Sequence, residues 1–177
     1  MREFETRIIK IDVKNIKSIL KSANASKVKM ENQINNIYDF EDKRLINHGG
    51  YARIRIVENI LNNSTEYYMT TKKIISQDKY KVMDENEVKI SNGEVGKKIF
   101  ESLGLKLQQS IKKSRESYKY KNSLIEIDIN DTSFCPFPYI EIETKSDDEL
   151  AEIVNLLGYT MDDTTSDTIY EILKHER

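Results

Sequence analysis

Like charges recur two residues apart in segments that otherwise alternate between charged and apolar side chains: Glu3/Glu5, Arg53/Arg55, Glu85/Glu87, Lys113/Arg115, Glu126/Asp128 and Glu141/Glu143. Alternation with a period of two marks a β-strand, so each pair falls on one face of its strand. An antiparallel sheet with one face on a core and the other in water accounts for any one of these strands. It accounts less well for all of them, because like charges side by side repel and solvent-facing sheets usually mix signs or use Thr. The joint pattern therefore weighs against a simple solvent-facing sheet.

Strands are predicted over Arg2–Lys10, Gly50–Val57, Glu66–Ile74, Tyr80–Ile90, Ser110–Tyr120, Leu124–Ile129 and Tyr139–Lys145, with Lys121-Asn122-Ser123 as a hairpin turn. Helices punctuate them. Ile16, Ile19, Leu20 and Ala23 follow Asp12, a suitable N-cap. Ser91-Asn92-Gly93-Glu94 reads as a capping box opening a helix through Leu103, stopped by Gly104. Ser146 to Glu149 repeats the device ahead of Leu150, Ile153, Val154 and Leu157, and a last helix carries Ile169, Ile172 and Leu173. The expected class is α+β, a mostly antiparallel sheet with helices covering its outside. No repeat, low-complexity tract or Pro/Gly-rich linker divides the chain, so one domain over residues 1–177 is expected.

Composition narrows the function. Lys plus Arg total 28 against 30 Asp plus Glu, a balance that argues against nucleic acid as the main partner. Cys135 is the only cysteine, which excludes an internal disulfide and a Cys-based metal site. The first residues lack the apolar run of a signal peptide and no stretch is apolar enough to span a membrane, so a cytoplasmic home is expected. His48, in an Asn-His-Gly-Gly turn, and His175 read as surface groups, and the Lys119–Lys121 cluster reads as a solvated hairpin. Tyr67, Tyr68 and Tyr80 read as strand residues packed on their neighbours.

If the sheet closes, its charged face becomes an interior lining. Burying unpaired charge costs several kcal/mol per group, so such a lining must be compensated. Divalent cations can offset the carboxylates, and a polyanion can offset Lys and Arg. Mg²⁺ takes one or two protein carboxylates and completes its shell with water and phosphate oxygens. A triphosphate with its metal would satisfy both halves together.

The same residues resemble the CYTH proteins, or triphosphate tunnel metalloenzymes, in order along nearly the whole chain. The opening acidic strand appears as Glu3-Phe4-Glu5-Thr6-Arg7, and a Tyr/Asp turn as Tyr38-Asp39-Phe40, followed by Leu45, Gly50 and Arg53-Ile54-Arg55. Met69 to Lys72, Glu85-Asn86-Glu87, Lys113-Ser114-Arg115 with Tyr118, Ile127-Asp128, Glu141-Ile142-Glu143 and Ile169-Tyr170 continue the series. The resemblance implies a closed eight-stranded antiparallel β-barrel with helices on its outside. It implies that Glu3, Glu5, Glu87, Asp128, Glu141 and Glu143 hold one or two Mg²⁺ or Mn²⁺ ions. Arg53, Arg55, Lys72, Lys113 and Arg115 would hold the phosphates with Arg7, and Glu5, Arg7 and Lys72 would carry catalytic roles.

The chain departs from the family pattern in three places. Arg7 stands where Lys is usual, and a planar guanidinium never serves as a base. Lys73 and Ile74 replace a Gly-Pro turn after Lys72, and Ile169 replaces a serine. These changes bear on substrate choice more than on fold. Hydrolysis of a small triphosphate (inorganic triphosphate, thiamine triphosphate or a nucleoside triphosphate) is the expected reaction. An adenylate cyclase making cyclic AMP and pyrophosphate, and a tunnel that binds polyphosphate or nucleotide without turnover, are the alternatives. A monomer or homodimer is expected.

Overall fold

The structure, a computed structural model, describes residues 4–77 and 81–176. Eight strands build an antiparallel sheet that carries helices, the α+β class read from the sequence. The first half of the chain runs β1 Phe4–Ile9, α1 Val13–Ser22, β2 Ser26–Asp39, α2 Arg44–Asn47, β3 Gly50–Asn59 and β4 Ser64–Gln77. The second half runs β5 Lys81–Ile90, α3 Gly93–Ser102, β6 Lys106–Tyr120, β7 Ser123–Asn130, β8 Tyr139–Thr144, α4 Asp147–Leu156 and α5 Ile169–His175. The chain divides into two compact units, one of residues 1–30, 77–82 and 115–177, the other of residues 31–76 and 83–114. No helix among the described residues is long and apolar enough to cross a membrane.

In the first unit β8 lies between β1 and β7. Arg7 is opposite Glu141 and Glu5 opposite Glu143, while Glu126 faces Glu141 and Asp128 faces Tyr139 across the other ladder. Opposed residues share a face, so the charged side chains collect on one side. Ile8, Ile125, Ile127, Ile140 and Ile142 take the other side and pack with Ile16 and Leu20 of α1 and Leu150, Ile153 and Val154 of α4. Each such fully buried aliphatic contributes roughly 1.5–3 kcal/mol, which fixes the face that turns away from the helices. Asp12 caps α1 by accepting from Lys14 N and Asn15 N at 3.0 and 3.2 Å, and Ser146 caps α4. On its other edge β1 pairs with β5 at Glu5↔Lys81, and further along Arg7 exchanges backbone hydrogen bonds of 2.8 and 2.9 Å with Thr165.

In the second unit β3 lies between β2 and β4. Asn35 faces Arg55 and Ile37 faces Arg53 on one side, and Arg53 faces Thr70, Arg55 faces Tyr68 and Tyr51 faces Lys72 on the other. The opposite face supplies Tyr38, Ala52 and Ile54 to a core with Phe100 of α3 and Leu105. Buried Asp39 accepts hydrogen bonds from Phe40 N, Leu45 N and Ile46 N at 2.7, 3.0 and 2.9 Å, and so holds the first turn of α2. Gly50 is required where β3 begins: a Cβ there would stand 2.7 Å from the Lys72 carbonyl oxygen.

Two local expectations change. Asn92, not Ser91, caps α3, accepting from Glu94 N and Val95 N at 2.9 and 3.1 Å. β2 was not among the expected strands. Its first residues are mostly exposed, and its inner positions Gln33 and Asn35 are polar but buried, so no apolar alternation announces it.

Candidate active site

The first unit gathers a buried ionic network. Arg7 donates from Nε and Nη2 to Glu141 Oε1 at 2.9 and 2.7 Å, from Nη2 to Glu5, and from Nη1 to the Asp167 carbonyl at 2.8 Å. Arg115 donates from Nε and Nη2 to the two oxygens of Asp128 at 2.6 Å each, and from Nη2 to Glu141 Oε2 at 2.6 Å. Its Nη1 pairs with Glu126. Asp128 and Glu126 are 0% and 1% exposed, and Arg7 and Glu141 are each 7% exposed. This face of the sheet is therefore not given to water. Burial opposes the charge on Arg7 and Arg115, but the surrounding carboxylates outweigh it and both are held firmly protonated.

Counting charge exposes an imbalance. Among the described residues of this network, four carboxylates (Glu5, Glu126, Asp128 and Glu141) pair with two guanidiniums, and Glu143 stands near Arg115 as a fifth. Glu143 registers the excess. Burial, then the neighbouring Glu126, push its carboxyl up to about 7 against the pull of Arg115. An all-oxygen donor set with surplus negative charge suits a hard divalent cation. The donors are spread among the arginines: no group of three His, Cys, Asp or Glu among the described residues is arranged to hold a metal ion. Glu3, expected to be a ligand, lies outside the described residues. The residues fit a cation by donor chemistry and charge.

The second unit holds an ion network of its own. Arg53, Arg55 and Lys72 meet Glu85 and Glu87, with Arg53 Nη2 at 3.2 Å from Glu87 and 3.3 Å from Glu85. Arg55 Nη2 lies 2.7 Å from Glu87, and Lys72 Nζ 3.2 Å from Glu85. Arg53 Nε is buried with no hydrogen-bond partner among the described residues, a donor waiting for an acceptor. The Arg55 guanidinium lies over the Tyr68 ring at 5.2 Å. Glu87 accepts from the Thr70 hydroxyl at 2.7 Å. Burial works against its ionisation, but Thr70 and the two arginines prevail and hold it below the usual carboxylate range.

The structure thus brings Glu5, Arg7, Arg115, Asp128, Glu141 and Glu143 together in one unit and Arg53, Arg55, Lys72 and Glu87 in the other. Glu87 sits among the arginines of the second unit, and Arg115 is tied to carboxylates. Lys113 is half-buried on β6. Glu126 and Glu85 belong to these networks and were visible in the sequence only as the like-charge partners of Asp128 and Glu87. The Asp167 carbonyl that holds Arg7 left no sequence signal. His48 is exposed, and Cys135 is buried with Sγ donating to the Phe137 carbonyl at 3.3 Å.

An eight-stranded antiparallel sheet with helices on its apolar face and ion networks opposite them defines a class, and comparison with known proteins names it. Residues 1–169 match the CYTH domain, and the chain belongs to that family. Among solved structures it is similar to PH1819 of Pyrococcus horikoshii OT3, with 22% identity, 99% of each chain covered and a TM-score of 0.79. It is similar to a Vibrio parahaemolyticus protein provisionally designated an adenylate cyclase, with 15% identity, 98% of each chain covered and a TM-score of 0.78. HpAC1 of Hippeastrum is provisionally designated an adenylyl cyclase and described as having a dominant triphosphatase activity. It matches with 14% identity over 100% of this chain and 97% of its own, with a TM-score of 0.72. At these identities the likeness is one of fold. No curated protein matches the sequence.

Proposed function

We propose that this chain is a divalent-metal-dependent triphosphatase that acts on a small triphosphate, working as one domain whose strands close into a charge-lined tunnel. Two observations carry this reading: the buried carboxylates that outnumber the guanidiniums of their network among the described residues of one unit, and the arginine network of the other, in which Arg53 Nε has no hydrogen-bond partner among the described residues. A triphosphate with its cation is the ligand that offsets both. Membership in the CYTH family and the fold it shares with HpAC1 support the same reading.

In this reading Arg53, Arg55, Lys72 and Lys113 bind the phosphate oxygens, and Glu5, Asp128, Glu141 and Glu143, with Glu3, hold Mg²⁺ or Mn²⁺. The cation, when bound, supplies charge neutralisation at the phosphate oxygens and lowers the barrier to attack by water. The protein's share is positioning and electrostatics, since phosphoryl transfer asks little covalent chemistry of it. Arg7 keeps its charge throughout and so orients and stabilises, without acting as a base. Glu141 and Asp128 fix the arginines while the substrate is absent. Water adds to the terminal phosphorus, the terminal phosphoanhydride P–O bond breaks, and orthophosphate leaves with the corresponding diphosphate (pyrophosphate from inorganic triphosphate). We place the reaction in the cytoplasm, where a lone buried cysteine stays reduced.

The test is incubation with inorganic triphosphate, thiamine triphosphate or ATP plus Mg²⁺ or Mn²⁺. Orthophosphate release is expected. Cyclic AMP with pyrophosphate would replace this reading by the cyclase, and tight binding with no product would replace it by a non-catalytic binding module.

A further inference from the structure

The second unit has a cavity on the side of its sheet away from the arginines. Ile54 and Ile56 alternate with Arg53 and Arg55 along β3, so they occupy the opposite face. Ile54 is opposite Asn36 of β2, and Ile56 is opposite Tyr67 of β4. With Tyr38 and the start of α3, these residues line a cavity of about 400 Å³, a size that takes a small organic molecule. Gly93 lets α3 begin against the Tyr67 ring, since a Cβ there would stand 2.7 Å from Tyr67 Cδ1.

The polar groups of the cavity narrow the kind of molecule. Tyr38 is 1% exposed, and its hydroxyl has no hydrogen-bond partner among the described residues. Burial, then the charges of Glu101 and Glu94, push that hydroxyl above the ordinary tyrosine pKa, so the field of both acids reaches it. Glu94 lines the cavity and makes no ion pair among the described residues, whereas Lys97, which also lines it, lies 3.9 Å from Glu101. The helix start is a poor cradle for an anion, because the Asn92 side chain already accepts from Glu94 N and Val95 N at 2.9 and 3.1 Å. Aromatic walls beside surplus carboxylate attract a cation.

We propose that the cavity between α3 and the apolar face of β2, β3 and β4 binds a small organic ammonium ion. Its apolar body packs on Ile54, Ile56 and Tyr67, and its N–H groups donate to Glu94 and the Tyr38 hydroxyl. The site does not depend on the triphosphatase reading, because it uses the other face of β3.

The experiment titrates tryptamine, tryptophol and indole-3-acetate at pH 7, probes that share an indole and differ in charge from cation to neutral to anion. Binding is followed by the nitrogen-15 amide shifts of Gly93 and Tyr67, which report this cavity and not the carboxylates of the first unit. Wild type should bind tryptamine about fivefold tighter than tryptophol, and indole-3-acetate more weakly than either. Glu94→Gln/Glu101→Gln should bring tryptamine down to the affinity of tryptophol. Glu41→Gln removes an exposed carboxylate outside the cavity, controls for net charge and should leave the preference intact. The site is overturned by the absence of saturable shifts at millimolar tryptamine, or by equal binding of tryptamine and tryptophol. A preference that survives the double substitution, or that Glu41→Gln lowers as much, overturns it equally.

Discussion

Glu141 stands between Arg7 and Arg115, giving Oε1 to the first at 2.7 Å and Oε2 to the second at 2.6 Å. One carboxylate of β8 thus ties the guanidinium of β1 to that of β6. Glu143, two residues on, has the opposite situation, with acidic neighbours in place of two cations. Two glutamates on one face of one strand should therefore respond to the same substitution with opposite signs.

Glu141→Gln should destabilise the metal-free protein by about 2 kcal/mol, because a buried charge-assisted bridge is broken while Arg7 and Arg115 keep their other partners. Urea unfolding in EDTA at neutral pH reads this directly. An unchanged midpoint would mean that the bridge contributes nothing to folding.

Glu143→Gln should stabilise the metal-free protein at pH 8 and leave it nearly unchanged near pH 4.5. The folded carboxyl titrates at about 7 against 4.5 when unperturbed, so the folded state holds the proton longer. The stability this gives is complete below the unfolded value and is lost as pH rises through 7, whereas glutamine stays neutral throughout. The gain at pH 8 should be of the order of 2–3 kcal/mol. Parallel stability profiles for the two proteins between pH 5 and 8 would remove the argument.

Millimolar Mg²⁺ or Mn²⁺ should raise the melting temperature of wild type at pH 8 more than at pH 6, where a proton on Glu143 competes with the cation. Glu5→Gln should lose most of that metal-dependent rise and most metal-dependent turnover while keeping its circular dichroism spectrum. Full activity in Glu5→Gln would refute the metal assignment.

If Arg53 binds phosphate as proposed, Arg53→Ala should raise KM for the triphosphate roughly tenfold or more, the loss of a charged hydrogen-bond donor worth ~1.5–3 kcal/mol. Arg53→Lys should recover only part of this, because an ammonium cannot reproduce the planar fork. Initial-rate kinetics over a range of substrate concentrations separates the two variants.

The strands that carry charge pairs could be read from sequence because their alternation is physical: apolar side chains such as Ile140 and Ile142 must meet the helices, and Glu141 must not. The start of α3 was readable to within a residue, as Asn92 against Ser91 shows, since both residue types accept the same backbone donors, whereas the four-residue α2 was not anticipated. β2 was hidden because Gln33 and Asn35 line the inner face with neutral polar groups, which look like a loop in one dimension. Partner choice was hidden for a different reason. Whether Arg115 meets Asp128 or a phosphate depends on the pairing of β6 with β7, and whether Arg7 meets the Asp167 carbonyl depends on where the end of the chain returns. Neither leaves a local mark.

The partners of β1 lie far along the chain: β8 supplies residues 139–144 and Thr165 covers the edge near Arg7. During synthesis β1 has no partner on its β8 edge until residues 139–144 have been made. Its ladder must form late, after loop closure over more than 130 residues, as the 134-residue separation of Arg7 and Glu141 requires. A chain halted before residue 139 would leave the β8 edge of this strand unpaired and prone to aggregate.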